Sequence, residues 1–278
     1  MWWLLALALC GPTVPALADS LSPQDHEEIN LLRTSQGHSA EEVNQLLEQV
    51  SRAGEKGLPT GPLANKVKEG LAKGVEPKRI DPVLRQLVTH FESAHEVLQE
   101  AATNGMIDQA QGNRQRALES LAEAFGRGAT AEEVRELART GQRQGQKLSQ
   151  DTLAGGAKSL AMIKEAKIPS KEGAAVVAEG MRQGYRPAEL ADLAREMKRR
   201  GQDFREGRLT TQSIRDQISK GSRSDRLFQD SDRGGHGGGD RLDRSGGSDR
   251  SGRDDRSGGG RDDRGGRSDR SGHGGRDR

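Results

Sequence analysis

Between residues 20 and 220 the chain is divided at short intervals by paired signals that start and stop α-helices. Ser22-Pro23-Gln24-Asp25 supplies a hydroxyl cap, a proline suited to the first helical position and an acid in the first turn. Ile29, Leu31 and Leu32 follow, and Gly37 offers a left-handed stop. Ser39-Ala40-Glu41-Glu42 has the form of a capping box, with Val43, Leu46, Leu47 and Val50 as the apolar stripe behind it. Thr60 opens a further helix carrying Leu63, Val67 and Leu71, which Gly74 stops. The next stripe runs Val83, Leu84, Leu87, Val88, Phe91, Ala94, Val97 and Leu98. Its expected start is Pro82, with Asp81 as the cap.

Such helices have little to pack with. Beyond residue 18 the aromatic side chains are Phe91, Phe125, Tyr185, Phe204 and Phe228. A core must therefore come from Leu, Val, Ile and Ala, which suits a small bundle or extended array better than one large globule. A helix ending at glycine, a short turn and a capped returning helix make an αα-hairpin. One hairpin cannot bury its apolar face alone, so hairpins must stack. The expected fold is all-α: eight to ten short helices stacked as hairpins in two related halves.

The halves are suggested by internal similarity. Glu69-Gly70-Leu71-Ala72-Lys73-Gly74-Val75-Glu76-Pro77 returns, 110 residues on, as Glu179-Gly180-Met181-Arg182-Gln183-Gly184-Tyr185-Arg186-Pro187, and Pro59 returns as Pro169. The capping box returns at a shorter spacing, as Thr130-Ala131-Glu132-Glu133. The two spacings imply an insertion in the Gln/Gly-rich stretch 141–150. The hairpin string Glu69–Pro77 resembles units of uncharacterised exported bacterial helical-hairpin proteins. The resemblance covers two blocks, implies a cell-envelope setting and supplies no functional residue.

Residues 1–18 carry no charged side chain. Trp2 to Leu9 is apolar, and Pro15-Ala16-Leu17-Ala18 has the small-x-small pattern of a signal-peptidase site. The expectation is export with cleavage near Ala18, giving a periplasmic or secreted protein. Because no Lys or Arg precedes the apolar run, an uncleaved anchor is the alternative; lipidation at Cys10, the single cysteine, is a weaker one because Leu9 precedes it. The apolar run is too short and too interrupted for stable membrane insertion. The expected division is a signal peptide at 1–18, helical halves at 19–110 and 111–220, and a tail at 221–278.

Residues 231–278 hold 16 Gly, 12 Arg, 10 Asp and 7 Ser, and their one apolar side chain is Leu242. This composition cannot repay the entropy of ordering, so a disordered tail is expected. Arg233-Gly234-Gly235 and Arg264-Gly265-Gly266 resemble RNA-binding boxes, the alternative function being nucleic-acid or other polyanion binding. Nearly one Asp per Arg cancels much of the phosphate attraction, and an export signal argues against RNA. Gly234 to Leu242 resembles a calcium-binding nonapeptide, which needs several stacked copies where the chain has one imperfect copy.

No reactive constellation emerges, and no catalytic, cofactor-binding or metal residue is assigned. His90 and His95 are five apart, poor spacing for one helix face. His95-Glu96 begins like a zinc-protease helix, but Gln99 stands where the second histidine is needed. Gly155-Gly156-Ala157-Lys158-Ser159 faintly resembles a phosphate loop, with Ala157 in place of the required glycine. Glu41, Glu42, Glu132 and Glu133 belong to first turns, where they favour the helix dipole. The expectation is a non-enzymatic binding or scaffolding protein without cofactors, whose partner is a protein of the cell envelope.

Overall fold

Ser22 accepts a hydrogen bond from the Asp25 amide, and Pro23 takes the first position of α1 (Pro23–Gln36), which ends on Gly37 at φ 70°. The same grammar continues along the computed structural model, which describes residues 21–110, 112–143, 145–224 and 226–228. The elements are α2 (Ala40–Glu55), α3 (Thr60–Ala72), α4 (Pro77–Thr103), β1 (Ile107–Asp108), α5 (Arg114–Gly126), α6 (Ala131–Thr140), β2 (Leu148–Ser149), α7 (Gln150–Glu165), α8 (Ser170–Arg182), α9 (Pro187–Arg199), α10 (Gly201–Arg205) and α11 (Thr211–Ser219). The described residues are thus mostly helical, with eleven helices against the eight to ten expected. Residues 1–20, including the expected signal peptide and Cys10, lie outside the described residues, as do the tail repeats from 229 onward. Among the described residues no helix is long and apolar enough to cross a membrane.

Several local expectations are corrected. The fourth helix begins at Pro77, not at Pro82, which sits inside it. Pro77 and Ile80 are buried and seat the earlier turn against the core, while Pro82 is exposed, so the carbonyl it leaves unpaired faces water. Ser39 makes no side-chain capping bond; Glu42 pairs instead with Lys78 of α4 at 3.1 Å, a tertiary contact displacing the local one. The box at Thr130 does close, with Thr130 N–H donating to Glu133 at 2.8 Å and the Glu133 amide to Thr130 Oγ1 at 3.2 Å. The stretch 141–150 is not simply a spacer: Leu148–Ser149 pairs in parallel with Ile107–Asp108, tying the end of α4 to the start of α7. Nor does the tail begin at 221. Leu227 and Phe228 are buried, and Tyr185 Oη donates to the Ser222 carbonyl.

The element boundaries correspond at the offset of 110 and not at the shorter capping-box spacing. Ser149, not Thr130, takes the place of Ser39: each precedes a helix of 16 residues, α7 and α2. α3 and α8, at the same offset of 110, have 13 residues each and follow Pro59 and Pro169. Gly57 and Lys167 both adopt positive φ, as do Gly74 and Gly184. Neighbours correspond as well. α1 packs on α3 and α6 on α8; α2 packs on α3 and α4, α7 on α8 and α9. α5 has no such counterpart among the described residues and lies between α4 and α7. α11 packs on α8 and α10 on α9.

One apolar cluster runs through both sets of helices, built mainly of Leu, Val, Ile and Ala with Phe91, Tyr185 and Phe228. With few large rings, helices approach closely where glycine permits. A Cβ on Gly155 would stand 2.9 Å from Pro187 Cβ and 3.1 Å from its Cα. One on Gly156 would stand 2.8 Å from Met181 Sδ. The glycine pair that resembled a phosphate loop therefore lies within α7, where it admits α8 and α9. Ser159 donates back to the Gly155 carbonyl (2.8 Å) and Lys158 pairs with Glu123 of α5 (2.6 Å). Gly155→Leu is expected to lower unfolding free energy by about 1–3 kcal/mol, since the Pro187 ring and backbone cannot yield cheaply. The matched change Gln45→Leu, at an exposed site, should cost under about 0.5 kcal/mol. Urea unfolding of both variants checks this.

Candidate functional site

The residue that corresponds to Gly155 in the first set of helices is Gln45. Where Gly155 lets Pro187 close on α7, Gln45 faces a groove whose other wall begins at Pro77. Three more positions differ in the same sense at the offset of 110. Gln49 stands for Ser159, Arg52 for Met162 and Asp81 for Ala191. Long polar side chains thus line α2 and α4 where short or apolar ones line α7 and α9. The result is a groove of about 630 Å³ between α2 and α4, with Val88 partly exposed among charged walls and Leu46 and Ala53 buried beneath them.

Its polar groups are organised in pairs. Gln49 Nε2 donates to Asp81 Oδ1, and Arg85 approaches the same carboxylate at 3.0 Å. Arg52 pairs with Glu48, and Lys56 with Glu92 at 2.6 Å. The Glu42 carboxylate beside Lys78 holds the ammonium above its ordinary pKa. Most of these pairs are well exposed, so each contributes little stability on its own. One group is not satisfied: Gln49 Oε1 is buried and accepts no hydrogen bond. A buried acceptor in that state costs about 1–3 kcal/mol.

The corresponding surface in the second set is smaller, about 330 Å³, and it has a third wall. Gly155, Lys158, Ser159, Met162, Pro187 and Ala191 line it together with Arg116 and Ser120 of α5. The helix α5 packs along α7 there and locks on through Glu123 and Lys158. Among the described residues nothing plays the part of α5 against α2, so the first groove is open where the second is walled.

The histidines do not gather into a site. His90 and His95 are half-buried on α4, and Gly126 of α5 comes close to the His90 ring. Burial lowers the pKa of both. For His95 the Arg114 charge acts in the same direction, while the neighbouring Glu96 charge opposes it. His26 contacts Asn30 at 3.1 Å, His38 lies near the α1–α2 turn, and His236 and His273 are outside the described residues. Among the described residues no group of three His, Cys, Asp or Glu side chains is placed to hold a metal ion.

Sequence reasoning missed Gln45, Gln49, Arg52 and Arg85 because each, alone, reads as a solvated helix face, and it read Asp81 as a helix cap, whereas Asp81 lies inside α4. For Gln45, Gln49, Arg52 and Asp81 the available signal was the contrast with Gly155, Ser159, Met162 and Ala191, visible only once α2 is aligned with α7. One consequence concerns pH. A histidine whose folded pKa lies below its unfolded value is bound by more protons when unfolded. The stability it contributes is present above about pH 6.5 and is lost as pH falls toward the folded pKa. Unfolding free energy should therefore drop between pH 7 and pH 5, and His95→Gln should shrink that drop. An NMR titration placing His95 at or above 6.5 would contradict the burial argument.

No family model matches the chain, and no curated protein and no solved structure matches it.

Proposed function

We propose that this is an exported, non-enzymatic binding protein that receives a helical segment of an envelope protein partner in the α2–α4 groove. The observation that carries this reading is the contrast between the two grooves. The face of α7 and α9 is flanked by a helix of the same chain, α5, while the matching face of α2 and α4 is open. The same three-helix unit, used twice, thus accepts a helix in one copy and offers the position in the other. Charged walls of both signs suit an occupant with polar side chains flanking a narrow apolar strip. Apolar contact would come mainly from Val88, with register set by the charges. Duplication of the unit, and export with cleavage near Ala18, belong to the same proposal. Their support is the offset of 110 shared by helix lengths and turns, and the uncharged apolar start of the chain.

A photo-cross-linking amino acid at Gln45 or Arg85, in the full-length protein expressed in its native cells, tests the groove. One discrete adduct with the same protein is expected from both positions, and none from Arg195, the counterpart of Arg85. Absence of adducts from both groove positions, or an identical pattern from position 195, would remove the reading. Intact mass of the native protein tests export: a chain beginning at Asp19 in the envelope or medium is expected, and an uncleaved cytoplasmic chain would refute it.

A further inference from the structure

The Gln/Gly-rich stretch that precedes α7 has a shape of its own. Gly141 sits where a Cβ would meet Met181 Cε at 2.8 Å, so the chain leaves α6 pressed against α8. Gln142 then donates to the Met106 carbonyl at 2.8 Å. A tight turn follows, with Gly145 at φ 74° and the Gln146 amide bonded to the Arg143 carbonyl at 3.0 Å. Leu148 returns to the Met106 carbonyl at 3.0 Å. Both ends of this loop are therefore anchored on the same carbonyl.

The anchored loop carries Arg143 and Lys147 to the edge of a pocket of about 390 Å³, whose far side is the α8–α9 turn bearing Arg182 and Arg186. Four cations thus line one concavity, against a single carboxylate, Asp151, which lies beside Gly112. Arg182 is fixed: its guanidinium donates to the Thr140 carbonyl at 3.1 Å and pairs with Glu179. Arg186 pairs only distantly with Glu189, at 3.6 Å, and is largely exposed. Among the described residues no carboxylate forms an ion pair with Arg143 or Lys147. The cluster is not a requirement of the helical unit, because the four counterpart positions are Arg33, Gly37, Ala72 and Glu76, which together carry little net charge. Arg143 and Lys147, which have no carboxylate partner among the described residues, are repelled by each other and by the neighbouring arginines, so their placement costs stability that a bound anion would return.

We propose that this pocket binds a phosphate-bearing ligand, gripped by Arg143 and Lys147 from the loop and by Arg182 and Arg186 from the α8–α9 turn. Arginine forks match tetrahedral oxyanions in two-point contacts, and the pocket has room for a phosphate group with part of what carries it. The site is separate from the α2–α4 groove and stands or falls independently of it.

Titration calorimetry of the full chain with inorganic pyrophosphate at low salt tests the assignment. Saturable binding is expected. It should weaken at least tenfold in Arg143→Gln/Lys147→Gln, tighten in Asp151→Asn, and change little in Arg33→Gln. Both loop positions are exposed, so the double variant should keep the parent's melting curve. No saturable binding would overturn the proposal, and so would binding that the double variant retains in full, which would place the anion on the arginine-rich tail. Sedimentation with vesicles containing phosphatidylglycerol separates the sources: variant-sensitive pelleting identifies a lipid headgroup, and pyrophosphate binding without pelleting identifies a soluble phosphate compound.

Discussion

Close approach of helix backbones at small residues is the constraint on which this architecture rests. With so few aromatic rings, the core cannot be filled by bulk, and it is filled by proximity instead. Gly155 and Gly156 bring α7 against α9 and α8. Gly70 and Gly180 let Ile80 and Leu190 fold over the turns that join α3 to α4 and α8 to α9; a Cβ would stand 2.6 Å and 3.0 Å from those side chains. Dispersion between atoms in contact falls steeply with separation, so these approaches do much of what ring packing does elsewhere. The helices are thereby committed to narrow interfaces, and a single long side chain in the wrong place opens one.

In the second set of helices the α7–α9 interface is closed by glycine and flanked by α5. In the first set, Gln45, Gln49, Arg52 and Asp81 stand at the matching positions, and the interface widens into a groove. No change of fold is needed, because α2, α3 and the start of α4 keep the lengths and turns of α7, α8 and α9. A few polar side chains are enough to make the difference between the closed interface and the groove. The surface ion pairs across and along the groove add little to stability.

Helix punctuation was legible in the sequence because its causes are local. Ser22-Pro23, Gly37, Gly74 and the Thr130–Glu133 box act within a few residues of themselves and behave as read. The spacing of 110 was also visible, carried by prolines and glycines whose backbone demands are strict. What failed to show depended on distant partners. Ser39 and Glu42 satisfy the capping-box pattern, yet Glu42 turns to Lys78. Pro82 looked like a helix start because the burial of Pro77 and Ile80 is a tertiary fact. The pairing of Ile107–Asp108 with Leu148–Ser149 joins segments too short to announce strands. Gly155-Gly156 suggested a phosphate loop because a helix-packing glycine and a loop glycine are the same letter. The groove was hidden for a related reason, since polar residues on a helix say nothing about whether a neighbour covers them.

Among the described residues, α7 is flanked by α5 and no helix takes that place against α2. Amide hydrogen exchange on the full chain measures this without knowledge of any partner. Burial under neighbouring helices raises the free energy of local opening, so coverage appears as slower exchange. α7, packed by α5, α6, α8 and α9, is expected to exchange at least tenfold more slowly than α2. Equal protection of α2 and α7 in the isolated protein would contradict this, because α2 would then be as well covered as α7.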